Sequence, residues 1–577
     1  MRRFPSVRFV AFATDYDETL AGKGVVEPRT LAALEHVKSS GRKLLLVTGR
    51  DLDDLVQVFP EHAVFDAIVA ENGALLYVPS TKKEKKLAET PPPEFAQSLR
   101  RHGATPLTVG RVIVATRVPY ETLVIEEIRR LGLELQIIFN KGAVMVLPAG
   151  VHKGTGLKLA LAEMKLSPHN VVGVGDAEND HAFLAECECG VAVGNALPAL
   201  KDRADLVMKG HAEDGVLELL EQLVKDDLRS ALSGRPGRRD ILLGETFQGA
   251  KVAIPPAAGP LLFAGSTESG KSTAAKGFVE RLLDADYQCC VFDPEGDWVA
   301  FERTVQLGDP KRAPTVDEVV HAVSQPDEQI VVNLVAVPFD DRGRFCSALL
   351  SRLADLRARS GRPHFIVLDE AHHLVPPASR PSQDVLPQDL TGVVLVTLAP
   401  QNLARPLLEQ LEMVVSVGVD AGKTAAEFRK AVGLPAKASS RTLERGEALL
   451  WRRGSGDEVP IRLARTNARH HRHARKYAEG DLGPERSFYF RGAEKKLNLR
   501  APNLVQFGEL AAGVDDDTWL HHLRQGDYSK WFRTEVKDEE LARDAEVVER
   551  DRALDAKQSR EKIRAAIAQR YTLPAQP

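Results

Sequence analysis

The sequence has little cysteine, no long apolar run and no excess of positive charge. Its five cysteines are Cys187, Cys189, Cys289, Cys290 and Cys346, and none forms a Cys-x-x-Cys pair. A zinc site or a disulfide framework is therefore not expected. No apolar stretch approaches the roughly 20 residues that cross a bilayer. The basic N-terminus runs through a short apolar segment into acidic residues, so we interpret it as a first strand rather than a signal peptide and expect a cytoplasmic protein.

The net charge of −4 favours no polyanionic partner for the chain as a whole, so any nucleic-acid surface must be local. Hydrophobic residues make up 43% and charged residues 27% of the chain, which is typical of soluble proteins that form a core. At ~150 residues per domain, the length of 577 residues predicts about four structural units.

Short apolar runs alternate with helical patterns over residues 1–228. Examples are VRFVAFAT (7–14), KLLLVTG (43–49) and NVVGVG (170–175), each ending near Gly, Thr or Asp. Short runs rich in β-branched residues are typical of buried parallel strands, so we predict an α/β fold with a Rossmann-like core sheet.

A change of composition marks the next boundary. Residues 229–240 are rich in Gly, Pro and Arg and lack periodic apolar positions, which predicts a linker. A second α/β pattern covers 241–466, with runs such as PLLFAGS (260–266) and HFIVLDE (364–370). Residues 467–577 are first basic, then aromatic and finally charged at helical spacing, and we predict a mostly helical accessory region there.

Four polar motifs follow four predicted strands of the first module in order. They are Asp15-Tyr16-Asp17-Glu18-Thr19, then Thr48-Gly49-Arg50, then Lys153, and finally Gly175-Asp176 with Asn179-Asp180. The carboxyl ends of parallel strands meet at one edge of a sheet, so we expect these side chains to converge. A lone Asp-x-Asp is more often a capped turn and a lone Lys is usually solvated, but four motifs in order favour a catalytic site.

The residue types are those that phosphomonoester hydrolysis needs. We predict that Asp15 attacks the phosphorus and that Asp17 protonates the departing oxygen and later activates water. Thr48 can bind a phosphoryl oxygen, and Lys153 can supply positive charge to the transferring group. Mg²⁺ prefers hard oxygen ligands, and Asp176 is the favoured direct ligand among the carboxylates of these motifs. The predicted metal-binding residues are Asp15, Asp17, Asp176 and Asp180.

Residues 9–20, AENGALLY (70–77) and NVVGVGDAENDHAFL (170–184) resemble the Cof-like branch of the haloacid dehalogenase superfamily. The resemblance covers about residues 8–228. It implies a core sheet with a small α+β cap inserted at 81–148. It is closest to archaeal-type phosphoglycolate phosphatases and sucrose-phosphate phosphatases, which implies a small phosphorylated metabolite as substrate.

A second motif begins the 241–466 module. Gly265-Ser266-Thr267-Glu268-Ser269-Gly270-Lys271-Ser272 matches the phosphate-binding P-loop pattern and lies between a predicted strand and a predicted helix. We expect an ATP site in which backbone N–H groups hold the phosphates, Lys271 reaches the β- and γ-phosphates and Ser272 ligates Mg²⁺. The ATP-binding residues predicted from this loop are Gly265, Ser269, Gly270, Lys271, Ser272 and Thr273. After a later strand, Asp369 suits a metal contact and Glu370 suits the base that polarises water.

FAGSTESGKST, VFDPEGDW and LDEAHHL resemble the HerA/FtsK-like P-loop motor ATPases, whose members usually form rings and move along DNA. The resemblance covers roughly 241–455 and implies ATP binding, hydrolysis and homo-oligomers. Three departures weigh against translocation, one of which is the short segment between the two nucleotide motifs. Leu398 stands where a polar residue is expected after the strand VVLVT, and a phosphatase replaces the usual N-terminal barrel.

Three functions remain open at this point. The first is a metabolic or regulatory phosphomonoesterase coupled to an ATPase; the second is a DNA-associated translocase whose phosphatase acts on nucleic-acid ends or nucleotides. The third is a scaffold in which the P-loop module only oligomerises the phosphatase. The basic segment 462–476 allows a phosphate contact, although a solvated helix is the favoured interpretation. The small cap and the acidic overall charge favour the first function over a DNA partner.

Overall fold

The computed structural model describes most of the chain. The described residues are 8–140, 142–233, 235, 237–266, 269–298, 301, 303–375, 389–435, 443–455, 457–466, 482, 486–493, 497–536 and 538–571. The chain divides into two compact units, residues 1–468 and 469–577. The first unit contains two large sheets. Residues 467–481, which carry most of the predicted basic segment, lie outside the described residues.

Residues 8–233 form twelve strands and nine α-helices. The strands are β1 Ala11–Thr14, β2 Lys43–Val47, β3 Ala67–Ala70, β4 Leu75–Val78, β5 Lys83–Lys86, β6 Thr108–Val109, β7 Val114–Arg117, β8 Leu135–Asn140, β9 Ala143–Pro148, β10 Val171–Gly175, β11 Cys189–Ala192 and β12 Leu206–Val207. The helices are α1 Pro28–Ser39, α2 Leu52–Val58, α3 Pro93–Arg101, α4 Glu121–Leu131, α5 Lys153–Glu163, α6 His181–Glu186, α7 Pro198–Lys201, α8 Ala212–Asp226 and α9 Arg229–Leu232.

The first sheet has the order β12-β11-β10-β1-β2-β3-β4-β5. Strands β12 to β3 run parallel, and β4 and β5 are antiparallel additions. All residues of β1, β3 and β10 are buried, as expected for strands that helices cover on both faces. The Rossmann-like α/β core predicted from the apolar runs is confirmed.

The cap is a separate sheet of order β6-β7-β9-β8. Helices α3 and α4 pack on it through Phe95, Leu99 and Val124. The predicted cap range of 81–148 differs from the structure at its start. Strand β5, at Lys83–Lys86, pairs with β4 and therefore belongs to the core sheet. Its lysine-rich sequence is exposed on this edge strand, where the charge disfavours pairing with another chain.

The predicted linker, 229–240, begins with the short helix α9, and its arginines near residue 240 contact the helix α6 of the first sheet. Arg238 donates to the backbone carbonyls of Leu184 and Ala185, and Arg239 donates to those of Ala185 and Glu186. The arginines that contributed to the linker prediction thus anchor this segment to the C-terminal end of α6.

The second sheet is formed by residues 241–463. Its strands are β13 Ile241–Thr246, β14 Lys251–Ile254, β15 Leu261–Ala264, β16 Cys289–Asp293, β17 Val305–Leu307, β18 Ile330–Asn333, β19 Phe365–Leu368, β20 Val393–Thr397, β21 Met413–Val417, β22 Glu447–Arg452 and β23 Val459–Leu463. Its helices are α10 Lys271–Asp284, α11 Val316–Val323, α12 Phe339–Ser360, α13 Ala371–Leu374, α14 Arg405–Leu408 and α15 Ala421–Ala431.

The order of this sheet is β14-β13-β23-β22-β21-β15-β20-β19-β16-β18-β17. Strands β21 to β17 run parallel and the remaining four are antiparallel. Strand β20 therefore lies between β15, which precedes the P-loop motif, and β19, which precedes Asp369.

A polar cluster joins the two sheets, and we call it the joint: His169, Asn170, Glu188, Tyr287 and His364. All of these residues are buried except His364, which is half-buried. Glu188 bonds to His169 Nδ1 at 2.7 Å, and Nε2 of His169 lies 2.8 Å from the carbonyl oxygen of Ala285. The amide of Asn170 bonds to His364 Nε2 at 3.1 Å. These residues precede β10, β11, β16 and β19, so the joint lies at the amino edges of both sheets.

The second unit has five helices and one hairpin among its described residues. The strands are β24 Phe488–Phe490 and β25 Leu499–Ala501; the helices are α16 Leu504–Gly513, α17 Asp516–Gln525, α18 Asp527–Thr534, α19 Glu539–Arg550 and α20 Ala556–Tyr571. Its core is aromatic, with Phe490, Phe507, Trp519 and Tyr528 buried together. In the described part of the chain, no helix has both the length and the apolar character needed to span a membrane.

Candidate active site

Lys153 lies between two carboxylates at the carboxyl edge of the first sheet. Its Nζ is 2.6 Å from Oδ1 of Asp15 and 2.6 Å from Oδ1 of Asp180. Asp15 directly follows β1, and Lys153 is the first residue of α5. The N-cap of α5 is His152, whose side chain accepts from the N–H of Thr155, while the Thr155 hydroxyl accepts from the N–H of His152. This capping box fixes the point at which Lys153 enters the site.

Three of the predicted acidic residues share one buried location. The carboxylate oxygens of Asp15, Asp176 and Asp180 lie within 4.8 Å of one another. The second oxygen of Asp180 accepts from the N–H groups of Asp176 and Ala177 at 2.8 and 2.9 Å, which fixes the turn after β10. The hydroxyl of Thr19 donates to Oδ1 of Asp176 at 3.0 Å. Sequence reasoning assigned no role to Thr19, although it lies within the quoted motif.

The electrostatics of this trio are dominated by burial and like charge. Burial, reinforced by the neighbouring Asp180, raises the pKa of Asp15 to about 8, while Lys153 opposes the shift. Burial alone would lower the pKa of Lys153, but Asp15 and Asp180 raise it, so the ammonium stays charged. One ammonium faces three carboxyl groups, and the location therefore carries excess negative charge.

The trio fits a divalent cation. Three hard oxygen donors lie within reach of one ion, and an added positive charge would relieve the repulsion among them. Asp17, the fourth predicted metal ligand, is not part of this group among the described residues. Its carboxylate turns instead to Arg50.

Arg50 holds Asp17 in a two-pronged ion pair. Its Nε lies 2.9 Å from Oδ2 and its NH2 2.7 Å from Oδ1 of Asp17. The remaining nitrogen donates to Asp54 in the first turn of α2 at 2.6 Å. A fork geometry of this kind fixes both the position and the orientation of a carboxylate. Arg50 belongs to the predicted Thr-Gly-Arg motif, but only Thr48 was given a role.

Thr48 is fully buried, and its Oγ1 accepts from the N–H of Arg50 at 3.2 Å. Next to it, the amide of Asn179 donates to Oδ1 of Asn72 at 3.0 Å. The other amide atoms of this pair, Nδ2 of Asn72 and Oδ1 of Asn179, are buried without a hydrogen-bond partner. The sequence contained both residues in its motifs, but no pattern in one chain indicates that they meet.

The second predicted site lies at the carboxyl edge of the second sheet. Lys271 begins α10, and its Nζ is 3.0 Å from Oε1 of Glu370. Gly270, at the N-cap, has φ of 94°, a conformation that favours glycine. The hydroxyl of Ser269 is buried without a partner. Ser272 and Thr273 lie in the first turn of α10, and Gly265 precedes the loop, where a side chain would collide with Ser269.

Asp369 is held by a tryptophan that sequence reasoning did not assign. Nε1 of Trp298 donates to Oδ2 of Asp369 at 2.8 Å. The Trp298 backbone is in turn held by Asp293, which accepts from the N–H groups of Gly296, Asp297 and Trp298. Burial raises the pKa of Asp369 and the pKa of Glu370, with Lys271 opposing both shifts.

Comparison with known proteins addresses the first of these sites. Residues 12–101 and 112–220 match the model of the haloacid dehalogenase-like hydrolases. Phosphoglycolate phosphatase 2 of Saccharolobus solfataricus is 30% identical over 226 residues, which cover 37% of this chain and 92% of that protein. The chain belongs to the haloacid dehalogenase-like hydrolases. A further relative, phosphoglycolate phosphatase of Methanothermobacter thermautotrophicus, is 27% identical over 223 residues and is covered to 98%.

A solved structure of a haloacid dehalogenase-like hydrolase from Bacteroides thetaiotaomicron is also similar. It is 19% identical with a TM-score of 0.34, and the similarity covers 37% of this chain and 99% of that one. The residues matched by the hydrolase family include the trio, Lys153 and the Asp17–Arg50 pair. The Lys271–Glu370 site lies beyond residue 220, where that match ends.

Proposed function

We propose that the first module of this hydrolase is a Mg²⁺-dependent phosphatase that cleaves a small phosphomonoester through an aspartyl-phosphate on Asp15. The observation that carries the proposal is the buried group of Asp15, Asp176, Asp180 and Lys153 at one edge of a parallel sheet. When bound, Mg²⁺ would offset the repulsion between the phosphoryl group and these carboxylates.

In this proposal each side chain has one task. Asp15 attacks the phosphorus, and the alkoxide leaves with a proton from Asp17. Lys153 keeps positive charge next to the attacked group, and Thr48 donates to a phosphoryl oxygen. Asp17 then takes a proton from the water that cleaves the aspartyl-phosphate. Arg50 must release part of its hold on Asp17 for these proton transfers, because a guanidinium fork favours the ionised carboxylate.

The proposed substrate is a small phosphorylated metabolite. Two of the relatives are named phosphoglycolate phosphatases. The cap supports a small leaving group, because a methyl group added at Gly49 would lie 3.7 Å from Sδ of Met145 on β9. Met145 of the cap thus approaches the loop that carries Thr48.

A substrate screen tests the proposal. Purified protein is assayed on 2-phosphoglycolate, sugar phosphates, nucleotides and an aryl phosphate, each with Mg²⁺ and with EDTA. We expect Mg²⁺-dependent release of phosphate from small esters. Release only from nucleotides would favour the DNA-associated alternative, and release from no ester would refute the phosphatase.

We also propose that residues 241–466 form a P-loop module that binds ATP and hydrolyses it. The buried hydroxyl of Ser269, which has no partner, and the pairing of Lys271 with Glu370 support this function. A nucleotide phosphate would give Ser269 an acceptor and Lys271 a second anionic partner. Repeating the substrate screen with added ATP tests whether ATP changes the phosphatase activity. Repeating it with added DNA tests the DNA-associated translocase alternative, and repeating it at several protein concentrations tests homo-oligomerisation.

A further inference from the structure

The tip of a cap hairpin lies against the carboxylate of one core residue. Strands β6 and β7 are joined by residues 110–113, and the N–H of Gly110 donates to the carbonyl of Ile113 to close the turn. Oε1 of Glu71 accepts from the N–H of Arg111 at 2.7 Å. Oε2 of Glu71 accepts from the N–H groups of Val112 and Ile113 at 2.7 and 2.9 Å. We call this arrangement the clasp.

The clasp is buried and is built from both sides. Glu71 is fully buried, and its N–H donates to the carbonyl of Arg50, next to the pair that holds Asp17. On the cap side, a methyl group added at Gly110 would lie 2.6 Å from Oε1 of Glu71. Val112 and Ile113 bury their side chains with Ala74 of the core.

The backbone of Glu71 carries a strain that the clasp explains. Its φ is 53°, and that of Asn72 is 54°, in the left-handed region that costs a non-glycine residue of order 1 kcal/mol or more. Such conformations persist only where the surroundings impose them. Here the strained turn directs the Glu71 carboxylate away from its own strand and into the cap.

A surface contact near the same turn serves as a natural comparison. The guanidinium of Arg111 donates to Asp53 at 2.9 Å and to Glu84 at 3.1 Å, and all three side chains are partly exposed. Exposed pairs of this kind contribute little, whereas three N–H groups on one buried carboxylate form strong charge-assisted bonds. The clasp, rather than the surface pairs, holds the turn in place.

We propose that Glu71 is a positioning residue that docks the cap beside the loop that carries Thr48 and Arg50 and thereby restricts the site to small leaving groups. The docked turn packs in the same apolar cluster as Met145, the cap residue that approaches Gly49. Loosening the turn frees Met145 to move away and opens space for a larger ester. The inference rests on the proposed phosphatase function.

The test compares two variants of the clasp with one of the surface contact. Glu71→Gln places an amide donor against N–H donors, and Gly110→Ala displaces the turn without changing the core residue. Arg111→Ala removes the exposed ion pairs but keeps the backbone N–H group of residue 111, which donates to Glu71. Amide exchange of the peptide covering 108–117 is measured by mass spectrometry, together with kcat/KM for 2-phosphoglycolate and for 4-nitrophenyl phosphate.

Both clasp variants should speed amide exchange of the 108–117 peptide by about tenfold or more, because charge-assisted hydrogen bonds are lost. They should also shift the ratio of kcat/KM for the two esters about tenfold in favour of 4-nitrophenyl phosphate. Arg111→Ala should change either quantity by less than about threefold. Unchanged exchange in both clasp variants overturns the clasp. Faster exchange with an unchanged ratio overturns its role in specificity. A parent protein that hydrolyses no ester of the substrate screen refutes the phosphatase instead, while the exchange measurement still decides whether the clasp exists.

Discussion

The phenol of Tyr287 donates to the carboxylate of Glu188, its oxygen lying 3.0 and 2.9 Å from the two carboxylate oxygens. Tyr287 also stacks on His169, with ring centroids 3.8 Å apart. Glu188 and His169 belong to the first sheet and Tyr287 to the second, so this contact is the centre of the joint. Because the carboxylate is buried, its partners decide how much it contributes to folding.

We expect Glu188→Gln to destabilise the protein at neutral pH but much less in acid. Burial alone would raise the pKa of Glu188, but Arg8 and His169 lower it to about 2, below its ordinary value of 4.5. A lowered pKa means that the carboxylate contributes stability that is fully present above about pH 4.5 and is lost as the pH falls towards 2. Urea unfolding at several pH values should show a loss of ~2–3 kcal/mol at pH 7 that shrinks below pH 4. Glu61→Gln, a control at an exposed glutamate, should leave the pH dependence of stability unchanged. A loss of stability in Glu188→Gln that is the same at all pH values would contradict the ion pair between Glu188 and Arg8.

Asp15→Asn should abolish hydrolysis of every phosphomonoester, by about a thousandfold or more, because an amide cannot form the aspartyl-phosphate. Nucleotide hydrolysis at the second site should stay near the parent rate. Phosphate release measured on an aryl phosphate and on ATP checks both. Retained aryl phosphatase activity would remove Asp15 from the role of nucleophile.

Arg50→Lys should lower kcat by about tenfold to a hundredfold and change KM little, because an ammonium cannot form the two-pronged contact that fixes Asp17. Steady-state kinetics on the best substrate of the screen provide the measurement. Arg29→Lys, at an exposed arginine that pairs with Glu27, is the matched control and should behave as the parent does. A rise in KM alone would indicate that Arg50 binds substrate rather than positioning Asp17.

At the proposed nucleotide site, Lys271→Ala and Glu370→Gln should separate binding from turnover. Lys271→Ala should weaken ATP binding, since it removes the cation that faces the phosphates. Glu370→Gln should retain binding and stop hydrolysis, because it removes the proposed base and keeps the loop. Titration calorimetry and a phosphate-release assay measure the two steps. Turnover by Glu370→Gln at the parent rate would place the base elsewhere.

The sequence predicted the parallel core and the residues of the first site because both depend on local patterns. Asp15 follows a buried strand, and Asp176 follows another that the structure pairs with the first. Neighbouring parallel strands bring their carboxyl ends together, so the order of motifs was sufficient to predict that they converge. The family match then confirmed the hydrolase, whereas the role of each residue stays a prediction.

Contacts between distant segments were beyond the reach of one sequence. Glu71 and Val112 are 41 residues apart, and the hydrogen bond between them has no local sequence signal in either segment. Trp298 was part of a quoted motif, but its bond to Asp369 depends on how two neighbouring strands of the second sheet are ordered. The predicted start of the cap was wrong for a related reason, because the lysine-rich β5 lacks the apolar alternation that indicates a strand.

The joint at the amino edges of both sheets governs how the two sites can communicate. Asp15 and Lys271 follow the carboxyl ends of their strands, whereas His169 and Tyr287 precede the amino ends of theirs. The two proposed centres therefore lie at the edges of their sheets that are opposite the joint. If both proposed centres are active, a product such as inorganic phosphate released at one of them would leave at the edge of its sheet opposite the joint, so we expect no substrate channelling within a single chain. We therefore expect any dependence of one proposed activity on the other to pass through contacts between the two modules, of which the bonds around Glu188 form the buried polar part.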